Sequence, residues 1–124
     1  MRVLAGLEPE NVFRFFEEIC GIPHGSGNVE QISDYLVSFA KEQGLKYIQD
    51  SLNNVILFGE GTCGYEDHAP VIIQGHMDMV AVHKPELDID MTNEPLKLMV
   101  AGDDIYAEGT SLGGDDGIAI AYAL

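Results

Sequence analysis

The chain is short of basic residues, of cysteine and of long apolar runs, and each shortage removes a class of function. Six lysines and arginines stand against 21 aspartates and glutamates, a net charge of −15 over 124 residues. So acidic a surface repels phosphate backbones and anionic headgroups, so neither nucleic acid nor a membrane is expected as a partner. The two cysteines, Cys20 and Cys63, show no Cys-x-x-Cys spacing, which argues against a disulfide framework or a structural zinc knuckle. No apolar run approaches the about 20 residues of a membrane helix. The first ten residues have too short an apolar region for a signal peptide. There is no Asn-x-Ser/Thr acceptor either, and a cytoplasmic location is the default expectation. Two glycine-rich phosphate motifs, Gly-x-x-x-x-Gly-Lys-Ser/Thr and a strand-following Gly-x-Gly-x-x-Gly, are missing. The run Asp88–Asn93 lacks the sixth-position glycine of an EF-hand loop.

What is present is a chain with 46% hydrophobic residues and no low-complexity segment, enough for one modest domain. Glu8-Pro9-Glu10 opens a helix, with Val12, Phe13, Phe16 and Ile19/Cys20 at helical spacing. Gly21 at a left-handed cap and Pro23 beyond it end that helix. Residues 22–27 form a loop. Asn28 with Gln31 has capping-box spacing and starts a second helix, whose apolar stripe is Val29, Ile32, Leu36, Phe39 and Ala40 and whose stop is Gly44. Residues 45–49 and 54–58 read as strands, as does the β-branched run Pro70–Gly75. Residues 81–95 are aperiodic, and loops this long are usually functional or mobile. Residues 96–100 and 105–107 read as a hairpin turned at 101–104. Ile118–Leu124 is a helix with no polar face, the kind that belongs inside a larger protein. The layout is mixed α/β.

Two stretches carry chemistry. Residues two apart on a strand share a face, so His76 and Asp78 of Gly75-His76-Met77-Asp78 point the same way at the end of the run beginning at Pro70. Open α/β sheets bind ligands at strand carboxyl ends, and a metal-binding imidazole usually gives its other nitrogen to a carboxylate or carbonyl. His76 is thus a candidate ligand with Asp78 as its partner, and Gly75 permits close backbone approach beside it. The second stretch is Gly113-Gly114-Asp115-Asp116-Gly117. Its carboxylates cap a helix in the plain reading and bind a cation in the sharper one. The acidity of the chain likewise reads as solubility, or in part as metal ligands. His24 and His68 are expected in solvent. His83 follows the His76 stretch closely enough to reach substrate but has no spacing argument. Asp88, Asp90 and Glu94 are expected to face water.

Together these stretches resemble a known family. Ile22-Pro23 with Ser26-Gly27, Asp50 to Val55, Gln74 to Val80 and Ala107 to Ile118 are similar to the amino-terminal part of the co-catalytic zinc exopeptidases related to aminoacylase and carboxypeptidase G. Among these the wording is nearest the aminoacyl-histidine, or cytosol non-specific, dipeptidases. The resemblance implies an α/β fold, part of a mixed sheet flanked by helices, with residues 1–124 as an amino-terminal portion of the catalytic domain and the lid that makes a homodimer absent. It implies His76 as a ligand of one zinc and Asp115 as the carboxylate bridging two. Asp78 becomes the catalytic-site carboxylate that orients the imidazole, and the Asp115–Asp116 peptide is expected to be cis.

The implied chemistry is hydrolysis of dipeptides by two Zn2+ ions about 3.5–4 Å apart, with Mn2+ or Co2+ as alternatives. The Glu-Glu pair that the family uses as base and ligand is expected beyond Leu124, and Glu17-Glu18, in the first helix, does not take that role. With only His76 and Asp115 as candidate metal ligands, the 124-residue chain by itself is expected to be inactive and to self-associate through its apolar carboxyl-terminal segment. Other members of the superfamily (a tripeptidase, carboxypeptidase or amidohydrolase) share both motifs. A non-catalytic binding module with half a metal site is the rival from another class.

Overall fold

The structure is a computed structural model and describes residues 2–124. Its elements are α1 (Glu10–Cys20), α2 (Glu30–Glu42), β1 (Lys46–Gln49), β2 (Val55–Phe58), β3 (Leu98–Ala101), β4 (Asp104–Ala107) and α3 (Gly114–Ala123). The chain divides into two compact units. One takes in the chain up to Ile32 together with Gln74–Leu124, and the other is Ser33–Ile73.

In the first unit α1 buries Phe15, Phe16, Ile19 and Cys20. Ile19 and Cys20 continue the spacing that starts at Phe16, so the helix presents one apolar face. Pro9 is the N-cap rather than the first helical residue, and its φ of −72° suits either place. The Glu17 carboxylate accepts the amides of Val3 and Leu4, which ties the amino-terminal segment to this helix. Gly21 closes α1 in the right-handed region (φ −73°), not the expected left-handed cap. Its amide reaches back to the carbonyls of Glu17 and Glu18, so the last turn is completed without a change of hand.

Helix α3 lies on α1. Gly117 is buried at this contact, where even a Cβ would only reach ordinary van der Waals distance of the Phe16 ring, 3.4 Å. Gly117, Ile120 and Ala121 are buried while Tyr122 stays 66% exposed. The apolar segment thus has one face in the core and one outside it. The hairpin β3–β4 pairs Leu98 with Ala107 and Ala101 with Asp104, and Gly102, at φ +63°, supplies the left-handed residue of its tight turn. Leu98 and Ala107, opposite each other, are its buried pair.

In the second unit β1 and β2 form a two-stranded antiparallel sheet with Lys46 opposite Phe58 and Gln49 opposite Val55. Asp50 builds the connection by accepting the amides of Leu52 and Asn54, while Asn53 turns the chain at φ +68°. Ser33, fully buried, donates to the Asn53 carbonyl at 2.9 Å and accepts from the Gln49 amide at 2.8 Å. That links α2 to β1 and to the turn. Gly44 ends α2 at φ +66°, and the amide of Leu45 returns to the Ala40 carbonyl.

The run Pro70–Gly75 forms no strand. Val71, Ile72 and Ile73 are 86, 88 and 73% exposed. β-Branched residues make a strand only where a neighbour accepts the ladder. Both two-stranded sheets pair internally, and no described strand pairs with this run. The sheets are therefore two separate hairpins. No helix among the described residues is long and apolar enough to cross a membrane.

Candidate metal centre

The loop that follows α1 docks against the segment after His76. The Met79 amide donates to the His24 carbonyl and the Ser26 amide donates to the Met79 carbonyl, both at 3.0 Å. This forms a single parallel bridge between Gly25 and Met79. Further along, the Lys84 amide donates to the Gly109 carbonyl and the Ser111 amide to the Val82 carbonyl. The Ser111 hydroxyl adds a bond to the Val80 carbonyl at 2.6 Å. These clips fasten residues 80–84 to residues 109–111. Gly113, at φ +72°, packs so closely on Met79 that a Cβ there would meet its sulfur at 2.8 Å. The two chemical stretches, 75–78 and 113–117, are thereby brought together through loops rather than through a sheet.

His76 sits where the two stretches meet. Its Nε2 lies 3.0 Å from Asp115 Oδ1. Its Nδ1 lies 3.0 Å from the Asp78 carbonyl and 3.2 Å from Asp78 Oδ1. The other carboxylate oxygen of Asp78 accepts the Ser26 hydroxyl at 2.5 Å. The His76 amide donates to Asp116 Oδ2 at 3.3 Å, and Gly75 leaves that carboxylate its space. Asp115–Asp116 is a cis peptide. Asp115 and Asp116 depart from helical angles (ψ 102° and 25°), so α3 begins with an irregular turn that aims Asp115 at His76 and Asp116 at the His76 backbone.

The electrostatics follow from this geometry. Both ring nitrogens face oxygen, and the imidazolium form satisfies both. Its pKa is accordingly raised, first by the bond to Asp115 and then by that to the Asp78 carbonyl. Asp78 is held below the usual carboxylate range, first by the Ser26 hydroxyl, with the charge of His76 adding to it. Half of His76 and nearly all of Asp115 are open to solvent, so a small ion can approach.

The donor set fits a metal in part. Nitrogen and carboxylate donors bound to a tetrahedral zinc at about 2.0–2.2 Å stand roughly 3.3 Å apart. The observed 3.0 Å needs to open only a few tenths of an ångström. A cation could take the place of the Nε2 proton with Nδ1–H still held by Asp78. Against this, a catalytic zinc usually has three protein ligands, and among the described residues no three His, Cys, Asp or Glu side chains are arranged to hold one metal ion together.

His76, Asp78 and Asp115, the residues singled out from sequence, therefore lie in one cluster. His68 and His83 are exposed, as are Asp88, Asp90 and Glu94. Asp90 organises the aperiodic loop, accepting the Thr92 amide and the Asn93 side chain. His24, expected in solvent, is 2% exposed and bonds through Nδ1 to the Ile22 carbonyl. The docking of its loop on Met79 buries it. Ser26 enters from sequence only through the Ser26-Gly27 pair of the resemblance, and Asp116 only as the second carboxylate beside Asp115; what sequence reasoning does not give either is its observed partner, the Asp78 carboxylate for Ser26 and the His76 amide for Asp116.

No family model matches the chain. It is 37% identical, over all of its 124 residues, to the cytosol non-specific dipeptidase of Escherichia coli (strain K12), of which it covers 26%. The crystal structure of aminoacylhistidine dipeptidase from Vibrio alginolyticus superposes with a TM-score of 0.92 at 36% identity. That match covers 97% of this chain and 24% of the other. The chain spans about a quarter of the length of both. Over that quarter the chain is homologous to the cytosol non-specific dipeptidase, with 37% identity over 124 residues, and it shares the fold of the aminoacylhistidine dipeptidase.

Proposed function

We propose that His76 and Asp115 are two ligands of a two-metal centre that, in the whole protein, hydrolyses dipeptides in the cytosol. The observation that carries this reading is the convergence of His76 Nε2 and Asp115 Oδ1 at 3.0 Å, with the opposite ring nitrogen held by Asp78. The names of the two relatives support a dipeptidase, and that of the Escherichia coli protein supports the cytosol. Zinc is the expected metal, with manganese or cobalt possible on the same nitrogen and oxygen donors. The whole protein is expected to act as a homodimer.

Bound metal would polarise the scissile carbonyl and supply hydroxide at neutral pH. The chain's own residues have distinct tasks. Asp78 accepts the hydrogen bond of the His76 Nδ1–H and so holds the proton on that nitrogen, which leaves the Nε2 lone pair facing outward as a ligand requires. Asp115, almost wholly exposed, presents both carboxylate oxygens and can be shared between two ions. Asp116 holds the amide of His76, so the two ligand-bearing segments keep their spacing.

The test is zinc titration of the 124-residue chain by calorimetry, beside His76→Ala and Asp115→Ala. Weak binding that either substitution abolishes is expected. Binding undiminished in the double variant would refute the ligand assignment. Because two converging ligands fall short of the three that a catalytic zinc takes, added metal is expected to give no dipeptide turnover by this chain alone.

A further inference from the structure

We infer that Ser26 is a positioning residue of this centre, fixing the carboxylate of Asp78 and through it the imidazole of His76. The inference deepens the metal-site reading above and rests on it. Asp78 needs such a partner. Its carboxylate is about two-fifths exposed and only one of its oxygens, Oδ1 at 3.2 Å, faces the ring. A solvated carboxylate with nothing on the other oxygen turns freely about its own side-chain bonds, and its hold on Nδ1 is then intermittent. The Ser26 hydroxyl occupies that second oxygen at 2.5 Å, the distance of a charge-assisted O–H···O⁻ bond.

The hydroxyl is itself stationed by a built frame. Ser26 bonds through its amide to Met79, the residue next to Asp78. Gly25, before it, has no room for a side chain, since a Cβ would lie 2.9 Å from that of Ala81. His24 is buried and anchored at 2.6 Å to the Ile22 carbonyl. The Asn28 amide closes the loop on the Gly25 carbonyl at 2.7 Å. A merely structural role would aim the one hydroxyl proton at the Met79 carbonyl, which lies 3.4 Å away. The shorter contact and the charged acceptor both favour Asp78. Ser26, Asp78 and His76 thus form a relay of contacts in which the first residue touches neither metal nor substrate.

The experiment compares the chain with Ser26→Ala and Ser26→Thr on two readouts. In metal-free protein, NMR couplings report the side-chain rotamer of Asp78. One rotamer is expected in the native chain and in Ser26→Thr, and averaging in Ser26→Ala. Zinc affinity, measured by chelator competition, is expected to fall about 10- to 100-fold in Ser26→Ala and to return with Ser26→Thr. If no variant binds zinc, the metal-site reading falls while the Asp78 rotamer still decides the role of Ser26. A single Asp78 rotamer in Ser26→Ala overturns the inference. So does a native chain that binds zinc with no loss in Ser26→Ala, or a loss that Ser26→Thr does not restore. Ser26 is exposed, so an unchanged melting temperature is expected; should Ser26→Ala not fold, Ser26→Gly carries the same comparison.

Discussion

Gly75→Ala tests whether Asp116 braces the backbone of His76. A Cβ at this position would lie 2.8 Å from Asp116 Oδ2 and 3.6 Å from Asp116 Cγ and Ala119 Cβ. Carbon and oxygen do not rest that close, so the carboxylate must retreat by about 0.5 Å or more. Its bond to the His76 amide is already 3.3 Å long and does not survive the move. A hydrogen bond to a charged group contributes about 1.5–3 kcal/mol, here discounted for solvent to about 1 kcal/mol. An opposing effect exists. Gly75 is not among the residues at positive φ, and glycine to alanine at an ordinary backbone position stabilises by about 0.4–1 kcal/mol through the unfolded chain. The single variant therefore melts near the native temperature and decides nothing. The double-mutant cycle does decide. With Asp116→Ala the clash is gone, and Gly75→Ala should then stabilise by about 0.4–1 kcal/mol. The coupling between the two positions is expected at about 1 kcal/mol, read from urea unfolding of all four proteins. Additive effects, within about 0.3 kcal/mol, would refute the brace.

Four further outcomes are expected. Ser33→Ala strips the buried bond to the Asn53 carbonyl and the acceptor of Gln49, and should cost about 1–3 kcal/mol in chemical denaturation. Burial pushes the Cys20 thiol up to about 12, with Glu17 adding to it. A raised acid pKa means that the unfolded chain loses its proton first. Below about pH 9 the residue then leaves stability unchanged, and by pH 10 it costs about 1.4 kcal/mol relative to Cys20→Ala; equal pH profiles would contradict this. In native protein a thiol reagent should modify the exposed Cys63 and spare Cys20. Val71, Ile72 and Ile73, all strongly exposed, and Tyr122 on α3 are expected to drive self-association at high concentration. Light scattering should show it diminish in Ile72→Lys.

Periodicity found what is local. Phe16, Ile19 and Cys20 at helical spacing placed α1, and Gly44 marked the end of α2 in its left-handed cap. The turn at 101–104 announced β3–β4. What sequence reading missed depends on contacts distant along the chain. Gly21 looked like a left-handed cap because glycine commonly takes that place, yet the bonds of its amide to Glu17 and Glu18 keep it right-handed. His24 reads as a loop histidine among small residues, and only the docking of residues 24–26 on Met79, some fifty positions on, buries it.

The same distinction applies to the cluster of His76, Asp78 and Asp115, whose members are legible in the sequence although the strand expected to support them is not there. His76 and Asp78 were placed on one side by strand alternation, but Pro70–Gly75 is not a strand. They share a side because the ring stacks its contacts on Asp78 itself, on both the carbonyl and the carboxylate. Spacing of two therefore predicts the contact between His76 and Asp78 for a reason other than the one that applies. What sets the pair in place is a set of loop contacts, Ser26 on Asp78, Asp116 on the His76 amide and residues 82–84 on 109–111. None of these belongs to a ladder, so loss of regular structure in 70–75 leaves the cluster whole. A site held in this way should tolerate substitutions at Val71 or Ile73 that keep the chain folded, and should lose the bond of Asp116 to the His76 amide at Gly75→Ala, where a single methyl group meets the Asp116 carboxylate.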